Sequence, residues 1–149
     1  MRKLILTVLL LTVSLTYISA QKAPIVIQFN AGSRAPDGTV QNLLIDAGGH
    51  CTYTEDEVTG LNVASSDFNI SKAQVDSFLK KANDIGFFKL QAQIHKGYDG
   101  SGIFLSMNYQ GNKHHVDVTN TSVPEIDALV SMMNEILATK NIKISYGRK

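Results

Sequence analysis

The chain has 149 residues, with 14 Lys and Arg against 13 Asp and Glu, one Cys and no Trp. A surface so near neutral gives no electrostatic footprint for nucleic acid or an anionic membrane, and a single cysteine excludes an internal disulfide. The length suits one hydrophobic core rather than two.

Arg2 and Lys3 precede an apolar run from Leu4 to Leu11, and small and polar residues follow as far as Ser19-Ala20. This is the order of a secretory signal peptide, because Thr12, Ser14 and Thr16 break the run before the roughly 20 apolar residues that a membrane span needs. The chain therefore reads as a leader over 1–20 and a single domain over 21–149, with no stable membrane span after cleavage. A secreted or periplasmic location follows, and without a disulfide the exported domain must be held by its core.

Pro24 to Phe29 is a β-branched and aromatic run that predicts a first strand, and Asn30 to Gly38, with Pro36-Asp37-Gly38, has the chemistry of a turn. Val40–Asp46 and His50–Thr54 read as strands split by Ala47-Gly48-Gly49, a hairpin signal because both glycines can take positive φ. Glu55-Asp56-Glu57 reads as a solvated turn, and Leu61 with Val63 as a short further strand. Ser71 is a good helix N-cap, and Val75, Phe78, Leu79 and Ala82 fall on one helical face. Gly86 ends that helix. Of the next two rings, one is expected in the core and its neighbour nearer the surface.

A polar linker, Gln91 to Gly102, leads into a strand in which Ile103, Leu105 and Met107 alternate with Phe104, Ser106 and Asn108. Gln110-Gly111-Asn112 is a hairpin turn, and Lys113–Thr119 returns. Ser122 and Glu125 have capping-box spacing, with Pro124 tolerated in the first turn of a second helix. Its apolar stripe is Ile126, Leu129, Val130, Met133, Ile136 and Leu137. Ile142 and Ile144 predict a last short strand or an extended tail. The expected fold is α+β: two hairpin-then-helix units forming an antiparallel sheet of about five to six strands, with both helices packed on one face.

Chemistry is sparse. His114 and His115 are neighbours on a strand and point to opposite faces, and His50 and His95 fall on turns or linkers without ligands at metal spacing, so no metal site is expected. Cys51 reads as a small buried residue. No nucleophile elbow, phosphate loop or zinc-protease motif is present, and Asp46, Asp99 and Asp117 sit at strand ends where turn capping suffices. No catalytic residue and no cofactor are therefore assigned, and the chain reads as no enzyme. What remains is surface: a contact loop of His95, Lys96, Tyr98 and Asp99, with Arg34 and Asp37 from the earlier loop. The function this implies is a secreted, non-catalytic domain that binds another protein. The alternatives are a binder of a small ligand or envelope component, using a pocket between helices and sheet, and a hydrolase with dispersed carboxylates.

Gly86-Phe87-Phe88-x-Leu90, then Tyr98-Asp99-Gly100, the Gly111-Asn112-Lys113 hairpin and the helix begun by Pro124 together carry a resemblance over most of the mature chain. The pattern resembles small exported bacterial domains of unknown function with a G-F-x-x-L, a later Tyr, an Asp-Gly and a final amphipathic helix. More remotely, the order of elements is similar to that of emfourin-type inhibitors of thermolysin-like metalloproteases. Where that group shows an Arg and a Gly pair after the first strand, this chain has Asn30-Ala31-Gly32-Ser33-Arg34. The likeness implies a secreted protease as partner and proteinase inhibition as activity.

Protein recovered from the export compartment is expected to begin at Gln21. Intact-mass measurement checks this, and a retained leader counts against the signal-peptide reading.

Overall fold

The computed structural model describes residues 23–33, 38–97 and 100–146. The leader over 1–20 lies outside them. The described chain is α+β, with one seven-stranded sheet and two α-helices. The strands are β1 (Ile25–Ser33), β2 (Thr39–Asp46), β3 (His50–Glu57), β4 (Asn62–Asn69), β5 (Gln93–His95), β6 (Ser101–Tyr109) and β7 (Asn112–Thr119); the helices are α1 (Lys72–Asp84) and α2 (Pro124–Leu137). Their order across the sheet is β4-β3-β2-β1-β6-β7-β5.

Two expectations about the sheet are corrected here. The strand count is seven rather than five to six, and β5 pairs with β7 in parallel, so the sheet is not wholly antiparallel. The extra strand is Gln93–His95, inside what the sequence presents as a linker. Three polar-flanked residues carry no period to read, and only the adjacent edge of β7 makes them a strand. The first unit is likewise a meander of four strands before its helix, not a single hairpin.

Alternation along β1, β2 and β6 sends Ile27, Phe29 and Ala31, Leu43 and Ile45, and Ile103, Leu105 and Met107 to one face, where all are buried. The register aligns them in rows, with Phe29 between Leu43 and Leu105. Over these rows lie Val75, Phe78, Leu79 and Ala82 of α1 and Ile126, Leu129, Val130, Met133 and Leu137 of α2. Phe29 meets Phe78 edge-on with centroids 5.9 Å apart. The space between helices and sheet is filled by these side chains, Phe29, Phe78, Phe87, Leu129 and Met133 being at most 1 % exposed.

Local chemistry sets the ends of α1. Ser71 Oγ accepts from the Gln74 backbone N–H at 3.1 Å, and Gln74 Oε1 accepts from the Ser71 N–H at 2.9 Å, a full capping box. At the other end Gly86 adopts φ 88°, which a residue with a Cβ reaches only at a cost. The chain then makes a short 3-10 turn over Phe87–Lys89 that drives Phe87 into the core. Phe88 stays half-buried, 5.3 Å from Phe87 and stacked 6.4 Å from Tyr109. The expected division between the two rings holds.

Other boundaries differ from expectation. β1 continues through Asn30 to Ser33, because β2 and β6 pair it on both sides and override the turn-forming residues. Glu55-Asp56-Glu57 belongs to β3 rather than a turn, held opposite Thr39 to Gln41 of β2. The β2–β3 turn has only Gly49 at positive φ, 97°, following Ala47-Gly48, which suits a type I turn closed by one left-handed residue. At α2 the N-cap is Val123 without a side-chain cap; Ser122 Oγ donates instead to the Asp127 carboxylate. Of the two forms expected for the tail after α2, the extended one is found: Asn134 brackets Ile144 through bonds of 2.7 and 2.8 Å, and Gln41 binds Lys143 O and Ser145 N.

Phe87→Ala is expected to lower unfolding free energy by about 3–5 kcal/mol, because it empties a core site, whereas Phe88→Ala costs distinctly less. Urea denaturation of the two variants checks the ordering.

Candidate functional site

Strand register decides which connections share an end of the sheet. Gly32 of β1 pairs with Gly102 of β6, and Ser33 with Ser101. The chain therefore leaves toward 34–37 beside the point where it re-enters from 98–99. β5 runs parallel to β7 with His95 opposite Thr119, and the Lys96 N–H donates to Thr119 O at 3.0 Å, so its outgoing end is here as well. The β3–β4 turn joins them, with the Val58 N–H donating to Gly38 O at 3.0 Å.

Of the sequence-assigned contact residues, His95 and Lys96 are exposed at this end. Arg34, Asp37, Tyr98 and Asp99 lie outside the described residues, although the strand residues on either side of them adjoin. His95 is on a strand rather than a linker, and its Nε2 lies 3.5 Å from Asp117 Oδ1. His50 is likewise on a strand, opening β3, 3.9 Å from Asp67 Oδ1.

The sheet face away from the helices carries a cleft of about 200 Å³ at this same end. Its floor is the Gly32–Gly102 pair, which leaves two adjacent positions on that face without side chains. Close packing demands the glycines: a Cβ on Gly32 would stand 2.6 Å from Thr39 O, and one on Gly102 2.8 Å from Val118 O. Val40 and Phe104 supply apolar walls, and Asn30, Asp117 and Thr119 supply polar ones. Phe104 stacks 5.6 Å from His115. Asn30 Nδ2 donates to Asn42 Oδ1 at 2.8 Å, which fixes its amide across β1 and β2. The cleft thus offers a carboxylate, an amide and a hydroxyl beside an aromatic wall, a set suited to receiving a polar or cationic side chain.

Sequence reasoning missed Asn30, Phe104 and Thr119 as neighbours. Alternation shows that Phe104 and Asp117 leave the buried face, but which strands adjoin is a long-range fact. Asn30 is hidden further by its turn-like context. Of the carboxylates, Asp46 is buried and caps its own turn, accepting from the N–H groups of Gly48 at 2.8 Å and His50 at 3.0 Å. It aligns with Ile25, whereas Asp117 aligns through Phe104 with Asn30, so the two lie toward opposite ends of the sheet. Among the described residues no group of three or more His, Cys, Asp and Glu is gathered to hold a metal ion. No helix among them is long and apolar enough to cross a membrane. The chain matches no protein-family model and no curated protein.

Cys51 is fully buried, its Sγ 3.5 Å from Gly49 O, and burial pushes its thiol up to about 11. Burial, with the bond to Glu55, raises Tyr53 to about 12. Both groups stay neutral in the folded state at pH values where they ionise in the unfolded chain. Stability is therefore intact below pH 9 with respect to Cys51 and falls as pH rises from about 9 to about 11, by at most about 1.4 kcal/mol per pH unit. Cys51→Ala is expected to flatten that part of the profile and leave the Tyr53 part between about 10 and about 12. Denaturant titrations across this range check the slope, and native Cys51 should react with a thiol reagent only after unfolding.

Proposed function

We propose that the chain is an exported, non-catalytic protein-binding domain that meets its partner with the loop end of the sheet. The observation that supports this reading is convergence: the strand ends flanking 34–37 and 98–99 adjoin the β3–β4 turn and the glycine-floored cleft. Loops displayed from the end of a rigid sheet are a common way to present contact residues. The cleft, about 200 Å³, is smaller than the roughly 300–1,000 Å³ of typical small-molecule sites. One side chain of a protein partner suits it better than a free ligand does. The polar wall of Asn30, Asp117 and Thr119 favours a basic or amide side chain there, with Phe104 beside its stem.

Within this reading a secreted protease is the partner class that the emfourin likeness implies, and secretion or periplasmic export is the location that the leader implies. Inhibition then means occlusion by the loop end, with Arg34, Asp37, His95, Lys96, Tyr98 and Asp99 at the contact.

Titration against a thermolysin-like metalloprotease is expected to give stoichiometric loss of protease activity. Replacing Arg34, Asp37, Lys96, Tyr98 and Asp99 together by Ala should weaken inhibition at least about tenfold without lowering thermal stability. Undiminished protease activity removes the inhibitor assignment. Equal capture of exported proteins by the wild-type chain and the loop variant removes the loop-end site.

A further inference from the structure

We propose that the free edge of β4 is a separate docking site, which takes an extended Lys- or Arg-rich segment of another protein as an added strand. The sheet has two edges, and they are unlike. β5 ends its side with three residues, too short to template much pairing. β4 is eight residues long and, among the described residues, pairs with β3 on one side only.

The direction of its peptide groups follows from the ladder. The Ile70 N–H donates to Gly49 O at 2.9 Å, and the same pairing is repeated two residues on at Cys51 with Phe68 and again at Tyr53 with Ser66. The alternation of an antiparallel pair then turns the N–H and C=O groups of Ser65, Asp67 and Asn69 away from β3. Natural edges are blunted by charged side chains, Pro, β-bulges or a covering element; the β3–β4 pair has one register shift, at Glu55/Asp56 near the start of β4, and pairs without a shift from Ala64 to Asn69. β4, with the sequence NVASSDFN, has no Lys and no Pro, and six of its eight residues are exposed.

Charge selects the occupant. From residue 38 to residue 71 the sequence contains no Lys or Arg, whereas Glu55, Asp56, Glu57 and Asp67 all lie on β3 and β4. Among the described residues the first three accept hydrogen bonds from neutral groups: Tyr53 Oη on Glu55, Asn62 Nδ2 on Asp56 and Thr59 Oγ1 on Glu57. Asp67 lies 3.9 Å from His50 Nε2. Lys140 lies over the Phe68 ring, on the helix-covered side. Such a field attracts a basic strand and repels a second copy, since edge-to-edge pairing of two copies would bring two acidic hairpins together. Leu61 and Val63, 66 % and 55 % exposed, offer apolar contact where β4 begins. Main-chain bonds would supply the affinity and alternate side chains the selectivity.

This site meets the loop end at the β3–β4 turn, but its outward peptide groups at Ser65, Asp67 and Asn69 lie further along β4, and it stands whether or not the loop-end reading does. The test is titration of the protein with a short peptide of alternating Lys and Val, followed by calorimetry and by amide hydrogen exchange. Binding should weaken with salt and slow exchange at Ser65, Asp67 and Asn69. Ser65→Pro, tolerated at an outward-facing edge position, should weaken it at least about tenfold. The exposed charge reversal Asp67→Lys, which leaves every backbone donor in place, should weaken it about fivefold or more. The proposal is overturned by absence of binding, by equal affinity for a Glu and Val peptide, by indifference to both substitutions, or by self-association of the chain that Ser65→Pro abolishes.

Discussion

The pairing of β1 with β6 is the contact on which the rest of the molecule depends. It joins a strand near the start of the domain to one about half the chain away, and each carries three buried side chains on the same face, Ile27, Phe29 and Ala31 against Met107, Leu105 and Ile103. Without it the four-stranded meander and the later hairpin would each expose an apolar face. With it a single surface is wide enough for both helices. Loop closure over that distance costs entropy that only burial can offset. This explains why the largest buried side chains cluster over β1 and β6 rather than at the sheet edges.

The same pairing creates the candidate site as a by-product of register. Gly32 opposite Gly102 makes the cleft floor, and Ser33 opposite Ser101 brings two separate connections together. A slip of one residue would send Phe29 or Leu105 to the uncovered face, so the core that fixes the register also fixes the cleft. The asymmetry of the two faces then separates labour. The helix side is closed and apolar, while the other side presents Asn30, Asn42 and Thr54 in a hydrogen-bonded row with His and Asp residues near its margins.

Fixing the tail adds a second long-range restraint. Asn134 and Gln41 together hold Lys143, Ile144 and Ser145, with Ile144 buried, and Tyr146 donates to the Asp127 carboxylate. Burial raises the Tyr146 hydroxyl pKa, and Asp127 adds to the effect. Residues that read as a last short strand or an extended tail are therefore part of the packed body, although no ladder among the described residues pairs them.

Both helices, the Gly86 stop, the division of the two phenylalanines and the strands with clear alternation were legible in the amino-acid order, because each rests on neighbours within a few residues. Capping by Ser71 and Gln74 is a local bond, and the period of Ile103, Leu105 and Met107 is a local pattern. The extension of β1 through Asn30 to Ser33, the acidic end of β3 and the parallel β5 were not, since their residues favour turns or solvent and become strands only by pairing. Asp117 and Phe104 could be assigned a face, but not the company of Asn30 and Gly32. A sequence specifies what each segment prefers within a turn or two, whereas the closeness of positions 32 and 102 is decided by burial summed over the whole sheet.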